Sequence, residues 1–471
     1  MFVVKVRPNI KWSNGKKFTA SDVAFNFELG RFKTAPWSKL WSHIASIETR
    51  GNKVTLKFKG TPNYAQWQNL IWNLPMVNPR QYMGITEKTF TSFSPKNPIG
   101  TGPYTLASLD AETKVVWKKK AVWWAAKQHV SPSPAPTYII DLRNTEITNA
   151  LSGLLNQIED LNNSYLPGVV AYVKNGLMQT YYPSAPYDLS GNTAWLTPNT
   201  THKPLNDRAF RKALATSIDV ANIVKNDYGN LVTKANATGL PKIWNKWVDQ
   251  KQLKNLGFSY STSRATSLLA AAGYKDVNND GYVENKDGST LNLKIAVPSP
   301  SSDWESARDM IVNYAKAAGI HLTVDIGDYN HYLLERDGGN FDLVIDDTYQ
   351  MSDNPWTYFN GLFHKPVLPN QTFANFSRYD NKIAWSLVKK LDKTPLGNTS
   401  KRKSLMKKLE KIQLTDLPNI PLWYNGVWAQ TQSSYWTNWP SSTSKRNYIP
   451  YMGPGYLQMT GIDMLTHIKP A

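Results

Sequence analysis

The chain is 471 residues long, with 54 Lys and Arg against 35 Asp and Glu, a formal net charge of +19, and no cysteine. That length can bury two or three cores, and the absence of cysteine excludes disulfides, thiolate nucleophiles and cysteine-ligated metals. The lysines scatter in ones, twos and threes with no nucleic-acid-binding module around them. The charge therefore reads as a basic solvated surface, which would also suit an anionic cell envelope, rather than as a nucleic-acid interface. Eighteen Trp is about three times the usual share for a chain of this size. The broad apolar face and single N–H donor of Trp suit flat ligands with a polar rim. No apolar run approaches the length of a membrane span.

Residues 2–6, FVVKV, alternate as an interior or near-edge strand. Asn14-Gly15 is a tight-turn dipeptide between extended arms. Thr19 and Asp22 then make a capping box for a helix with Val23 and Phe27 on its apolar face. Trp67 and Trp72 do not share a helix face; one packs inward, and the other is open between packing and ligand contact. Residues 98–124 read as a glycine turn and two strands, and Tyr181 and Tyr182 as cleft-lining candidates.

Residues 196–206, LTPNTTHKPLN, have the composition of a connector between lobes. A helix opens at Asn206/Asp207 with Phe210, Ala213, Leu214 and Ile218 on one face. Helical and extended patterns then alternate through SRATSLLAAAGY, LNLKIAV, WESARDMIVNYAKAAGI, HLTVDIGD and FDLVID, an α/β rhythm. In KRKSLMKKLEK, Leu405, Leu409 and Ile412 face inward and the lysines outward. Trp423 and Trp428 lie an odd number of residues apart, so on one strand they face opposite ways.

Three ordered segments carry a family resemblance. They are Trp12-Ser13-Asn14-Gly15 with Thr19-Ala20 and Asp22-Val23; Pro98 with Gly100-Thr101-Gly102-Pro103-Tyr104; and Asp207, Arg211, Ala213-Leu214 and Ile218-Asp219. Together they resemble the extracytoplasmic solute-binding proteins of family 5, the peptide, nickel and oligosaccharide receptors of ABC importers. The resemblance implies an α/β, two-lobed periplasmic-binding-protein-like (type II) fold with an extra small subdomain in lobe I. It places that subdomain at 1–97, the rest of lobe I at 98–195, lobe II at 196–427 and a lobe I return segment at 428–471. It further implies a monomeric receptor that needs no cofactor or metal, is not an enzyme, and works with membrane permease subunits. Family members carry a secretory or lipoprotein signal and several dozen residues before the first motif. Met1 is accordingly expected not to be the natural start of the precursor, an extracytoplasmic protein that is either a cell-surface lipoprotein or periplasmic.

The stretch Asp346–Phe363 leaves the FDLVID strand at its carboxyl end, where open α/β sheets bind ligands. In the family's peptide receptors an Asp there grips the α-ammonium. Met351 stands at that position, with Asp353 two residues away, which argues against a free peptide N-terminus. Asp347, Tyr349, Gln350, Trp356 and Phe359 then supply the flat faces and hydrogen-bonding groups that a pyranose needs. Trp436, Asn438 and Trp439, with Tyr182, are the matching candidates in lobe I; WTNWP and AGYKDVNNDGYVENKDG resemble the family's cello- and chitooligosaccharide receptors. The expected ligand is an oligosaccharide held between a lobe II aromatic and a lobe I tryptophan. The alternatives are an oligopeptide or, further off, glycoside hydrolysis by two of Asp346, Asp347 and Asp353. A helix starting at Pro355 would instead make Trp356 and Phe359 core residues. Asp276, Asn278, Asp280, Gly281, Glu284 and Asp287 fall at calcium-loop spacing. Asp at the last position and a following strand favour a hydrogen-bonded Asx turn over a metal.

Overall fold

The computed structural model describes the chain apart from residues 36, 68–73, 75, 145, 300, 348–353 and 445–457. The chain divides into two compact units. Unit 1 is residues 1–166, 175–181 and 429–471, and unit 2 is residues 167–174 and 182–428.

Unit 1 begins with β1 (Phe2–Lys5), helix α1 (Ala20–Glu28), β2 (Ile44–Arg50) and β3 (Lys53–Phe58), the strands forming an antiparallel sheet of order β1-β3-β2. β1 is thus an edge strand. Its register sets Phe2 opposite Leu56 and Val4 opposite Val54, so one face of the sheet is apolar and covers the α1 side. The capping box forms: Asp22 N–H donates to Thr19 Oγ1 at 3.4 Å, and Thr19 N–H donates to Asp22 Oδ2 at 2.7 Å. Val23 and Phe27 are buried against Val54, Leu56 and Trp67. This core draws its buried residues from positions 6 to 74 alone. A second antiparallel sheet follows, made by β4 (Tyr104–Asp110), β5 (Lys114–Lys119) and β6 (Tyr138–Leu142), and then the short β7 (Leu161–Asn162).

Unit 2 supplies, in order, β8 (Leu189–Pro198), α2 (Arg208–Ser217), α3 (Val220–Asn226), β9 (Thr233–Lys234), α4 (Gln250–Leu256) and α5 (Thr262–Ala271). After these come β10 (Leu293–Ala296), α6 (Ser302–Ala317), β11 (Leu322–Val324), α7 (Tyr329–Gly338) and β12 (Leu343–Asp346). Helices α8 (Trp356–Phe363), α9 (Lys382–Asp392) and α10 (Thr399–Asp416) lead to β13 (Ile420–Val427). Six strands form one mixed sheet of order β11-β10-β12-β8-β13-β9. β10 pairs parallel with β11 and β12, while β8 pairs antiparallel with β12 and β13. Ala194, Trp195 and Leu196 of β8 are fully buried, as an interior strand of a helix-covered sheet requires. The α2 face read from the sequence is the buried one, with Asp207 capping it by accepting from Ala209 N–H at 2.8 Å. The chain then returns to unit 1 as β14 (Gln430–Thr431), β15 (Trp436–Thr437), α11 (Gln458–Leu465) and β16 (Lys469–Pro470).

The segment 196–206 is not the passage between units. Residues 196–198 belong to β8, and Asn199 turns the chain within unit 2 by donating to Gly339 O and Phe341 O at 3.0 and 3.1 Å. A tight internal turn uses the same Pro, Thr and Asn that a linker does. The inward face of α10 also departs from expectation: Arg402 is 1% exposed. Its guanidinium donates to Leu391 O, Thr394 O and Asn354 Oδ1.

One acidic pair lies in the unit 2 core. The Tyr228 hydroxyl donates to Asp303 Oδ2 at 3.2 Å, and its ring packs on Trp423 at 5.0 Å. Burial pushes Asp303 up to about 6, aided by the neighbouring charge of Asp227, and burial pushes Asp227 up to about 6 as well. Both bind protons more tightly folded than unfolded. Their stabilising contribution is therefore full below the unfolded pKa of about 4 and is lost as pH rises through about 6. Asp303→Asn should shrink the melting-temperature difference between pH 4.5 and 7.5 relative to the native chain. An unchanged difference in a calorimetric pH series would contradict this.

Candidate functional site

The carboxyl end of β12 carries two consecutive carboxylates with different partners. Asp346 is 3% exposed and is neutralised by Arg336 of α7, whose Nη1 lies 2.7 Å from Asp346 Oδ2. The Tyr332 hydroxyl lies 3.0 Å from the same oxygen and 2.9 Å from Ile345 O. The Arg336 guanidinium also lies 4.0 Å over the Phe376 ring. Burial opposes the Arg336 charge, yet the Asp346 carboxylate outweighs it and raises the guanidinium pKa.

Asp347 turns the other way. Its Oδ2 accepts from Asn192 Nδ2 at 3.1 Å and Asn425 Nδ2 at 3.0 Å, and its carbonyl accepts from Asn192 Nδ2 at 2.8 Å. Asn192 and Asn425 are register partners on β8 and β13, so three strands converge here. Burial, then the Asp346 charge, raises the Asp347 carboxyl, while the two amide donors pull it down. Among the described residues, Asn425 Oδ1 is buried with no hydrogen-bond partner, as are the indole N–H groups of Trp195, Trp356 and Trp423. Buried polar atoms without partners are rare enough in folded proteins to call for an explanation. Behind the cluster, Tyr358 of α8 donates to Thr193 Oγ1 at 3.2 Å and packs edge-on against Trp244 and Trp195.

Trp356 opens α8, with its N–H donating to Asn354 Oδ1 at 3.1 Å, and is 5% exposed. Phe359 is 1% exposed and stacks on Phe363. The helix after Pro355, left open from the sequence, is the conformation found, and it sets both rings in packed surroundings. Tyr349, Gln350, Met351 and Asp353, like Trp72, lie outside the described residues.

In unit 1, Trp439 is buried with Met464 and Ile468, and its Nε1 donates to Gln432 O at 2.9 Å. Trp436 packs half-buried on that cluster, in β15 opposite Pro470. Asn438 is exposed at φ 60°, with Nδ2 donating to His467 O at 2.7 Å. Tyr182 was expected in lobe I but falls in unit 2, where its N–H donates to Tyr187 O at 2.9 Å. The unit boundary passes between Tyr181 and Tyr182, which two adjacent tyrosines in sequence could not reveal. Trp423 is fully buried and Trp428 half-buried just past the end of β13.

Sequence reasoning missed Asn192, Asn425, Arg336 and Tyr332. An Asn within a buried strand was the available signal, in SGNTAW and LWYNGV, because a strand interior seldom spends a position on an amide without a polar partner. Arg336 carried no such signal on an ordinary amphipathic helix.

Elsewhere, carboxylate oxygens of Asp276, Asp280 and Glu284 come within 4.8 Å of one another, the one such His/Cys/Asp/Glu group among the described residues. Their loop is folded by its own bonds: Asp276 accepts from Asn279 and Gly281 N–H, Asp280 from Tyr282 N–H, and Glu284 from Val277 N–H. Asp287 is committed to Ser289.

An α/β chain in two units, with a polar cluster at the strand ends of the larger sheet, has the build of a periplasmic-binding-protein-like receptor of type II. Comparison with known proteins agrees. The model of the bacterial extracellular solute-binding proteins, family 5, matches residues 2–368, and the chain belongs to this family. It is a solute-binding component of an ABC importer. A solved structure of the periplasmic oligopeptide-binding protein of an oligopeptide ABC transporter from Thermotoga maritima is 33% identical, with a TM-score of 0.95 over 100% of this chain and 88% of that one. The mannohexaose-bound form of that Thermotoga protein is 32% identical, with a TM-score of 0.88 over 99% and 87%. Oligopeptide-binding protein AppA of Bacillus subtilis is 22% identical, over 87% of this chain and 72% of the relative. No helix among the described residues is long and apolar enough to cross a membrane.

Removing one partner of a buried ion pair costs about 3–5 kcal/mol, because the other charge is left uncompensated. Arg336→Met should therefore destabilise the chain by about that amount, and Asp346→Leu added to it should recover much of the loss. Urea unfolding of the two variants measures this. A double variant no more stable than the single one would show that the pair does not act as a unit.

Proposed function

We propose that this receptor captures an oligosaccharide and delivers it to a membrane permease. The observation that carries the reading is the Asn192–Asp347–Asn425 cluster, with Asn425 Oδ1 unpartnered among the described residues. Amides offer both donors and acceptors, and each sugar hydroxyl does the same. The mannohexaose bound to the Thermotoga maritima relative supports the same ligand class.

An oligopeptide is the second reading, favoured by the names of several relatives and by the Asp347 carboxylate, a natural partner for an ammonium. That carboxylate already accepts two amide N–H groups, and burial raises its pKa. Both reduce what it can offer a cation. The family is one of receptors, and Asp346 is held by Arg336, leaving it poorly placed as a hydrolytic acid or nucleophile.

A thermal-shift panel tests the reading. Ligand at about 100 times its dissociation constant adds about 2.7 kcal/mol, so manno-, cello- or chitooligosaccharides should raise the melting temperature while tri- to pentapeptides should not. Asn425→Ala should weaken the sugar by about 1–3 kcal/mol, the scale of a lost buried hydrogen bond. Strong stabilisation by peptides with no response to any sugar would overturn the assignment.

A further inference from the structure

Unit 2 has an open cleft of about 460 Å³ walled by β9, the residues after it, the α4 end, the α4–α5 connection and Pro421 of β13. Three cations line it, Lys234, Lys254 and Arg264, with Asn236, Asn255 and Tyr260 between them, and no carboxylate is in its wall. The nearest acid along the chain, Asp219, lies between the wall residues Ile218 and Val220. Asp219 caps α3 by accepting from Asn222 N–H at 3.1 Å, and Asp249 pairs with Lys407 at 2.6 Å.

A fourth cation lies beneath. Lys212 is half-buried, donates to Leu256 O and Gly257 O at 2.7 and 3.2 Å, and sits over the Phe258 ring, itself part of the cleft wall. Burial, then the charge of Arg264, pushes its ammonium down to about 8. Arg264 stands in the first turn of α5, where the backbone dipole disfavours a cation. Three cations and no carboxylate among the wall residues favour an anion beside them.

We propose that this cleft binds a phosphate group, with Arg264, Lys254 and Lys234 as its cationic contacts. A dianion answers several cations better than a single carboxylate does, and a guanidinium matches phosphate oxygens two at a time. The cleft is far larger than a bare phosphate and falls in the range of small-molecule sites, about 300–1,000 Å³. The phosphate would therefore arrive on an organic group that reaches Tyr260 and Asn236. A soluble phosphorylated molecule and a lipid headgroup share that chemistry. The cleft shares no residue with the Asn192–Asp347–Asn425 cluster, so the proposal stands or falls apart from the oligosaccharide reading.

The full chain is titrated at low ionic strength with glycerol 3-phosphate, and separately with phosphatidylglycerol or phosphatidylcholine vesicles. The native chain and the Arg264→Gln, Lys254→Gln and Lys118→Gln variants are compared. The last removes equal charge from β5 of unit 1. Binding of glycerol 3-phosphate or of phosphatidylglycerol vesicles should fall about tenfold or more in each cleft variant and stay near native in Lys118→Gln. A response to vesicles alone identifies the headgroup as the source. If neither phosphate form binds, or if all three variants weaken binding alike, the proposal is wrong and the attraction is that of a basic chain in general. Oligosaccharide binding should be unaffected in all three variants.

Discussion

Two successive carboxylates at the end of a buried strand are the constraint around which unit 2 is organised. Two carboxylates at adjacent buried positions repel one another, so each needs its own compensation. The chain separates them by the alternation of a strand. Asp346 meets Arg336 and Tyr332 of α7, and Asp347 meets the amides of β8 and β13. The first arrangement neutralises a charge with a charge; the second spreads one over neutral donors. Arg336 thus anchors β12 to α7, and Asp347 ties β12 to β8 and β13. Thr193, one residue from Asn192, passes the restraint on to Tyr358 of α8.

Local signals were legible because they depend on neighbours in sequence. The Thr19 capping box, the Asp207 cap and the strand–helix–strand run through residues 322–346 all formed as read. What escaped was set by distant partners. Asn192 and Asn425 meet only because β8 and β13 pair, and no pattern within either strand names the other. Arg402 resembles its exposed basic neighbours on α10, yet it enters the core because backbone carbonyls at 391 and 394 and the Asn354 side chain wait there. Pro/Thr/Asn content at 196–206 signalled a change of direction, which it is. Composition does not say whether a turn stays within one core or leaves it.

The aromatics show the same limit. A Trp at a strand exit serves packing and ligand contact by one property, its apolar area, so sequence leaves the roles unseparated. The structure shows how the indole N–H groups differ. Trp439 gives its proton to Gln432 O and is saturated. Trp356 and Trp423 keep theirs, buried and unpartnered among the described residues. An unsaturated donor in a packed setting is an uncompensated cost that a hydroxyl-bearing ligand or an ordered water can offset.

Charge completes the argument about ligand class. A chain of net charge +19 draws anions over distances of a Debye length, about 10 Å at 0.1 M salt, whatever its specific site prefers. Under the proposed oligosaccharide reading, selection for a neutral solute is therefore local. At the end of β12 one carboxylate is cancelled by a guanidinium, and the other accepts from amides. An anion entering there would meet the Asp347 carboxylate, and a cation would have to displace amide bonds already made. A polyol pays neither penalty, because its hydroxyls add donors to Asp347 and Asn425 without bringing a charge to be desolvated. Three cations lie instead on the cleft of Arg264, among other elements of the same unit. The two proposed ligand chemistries thus fall on different elements of one unit.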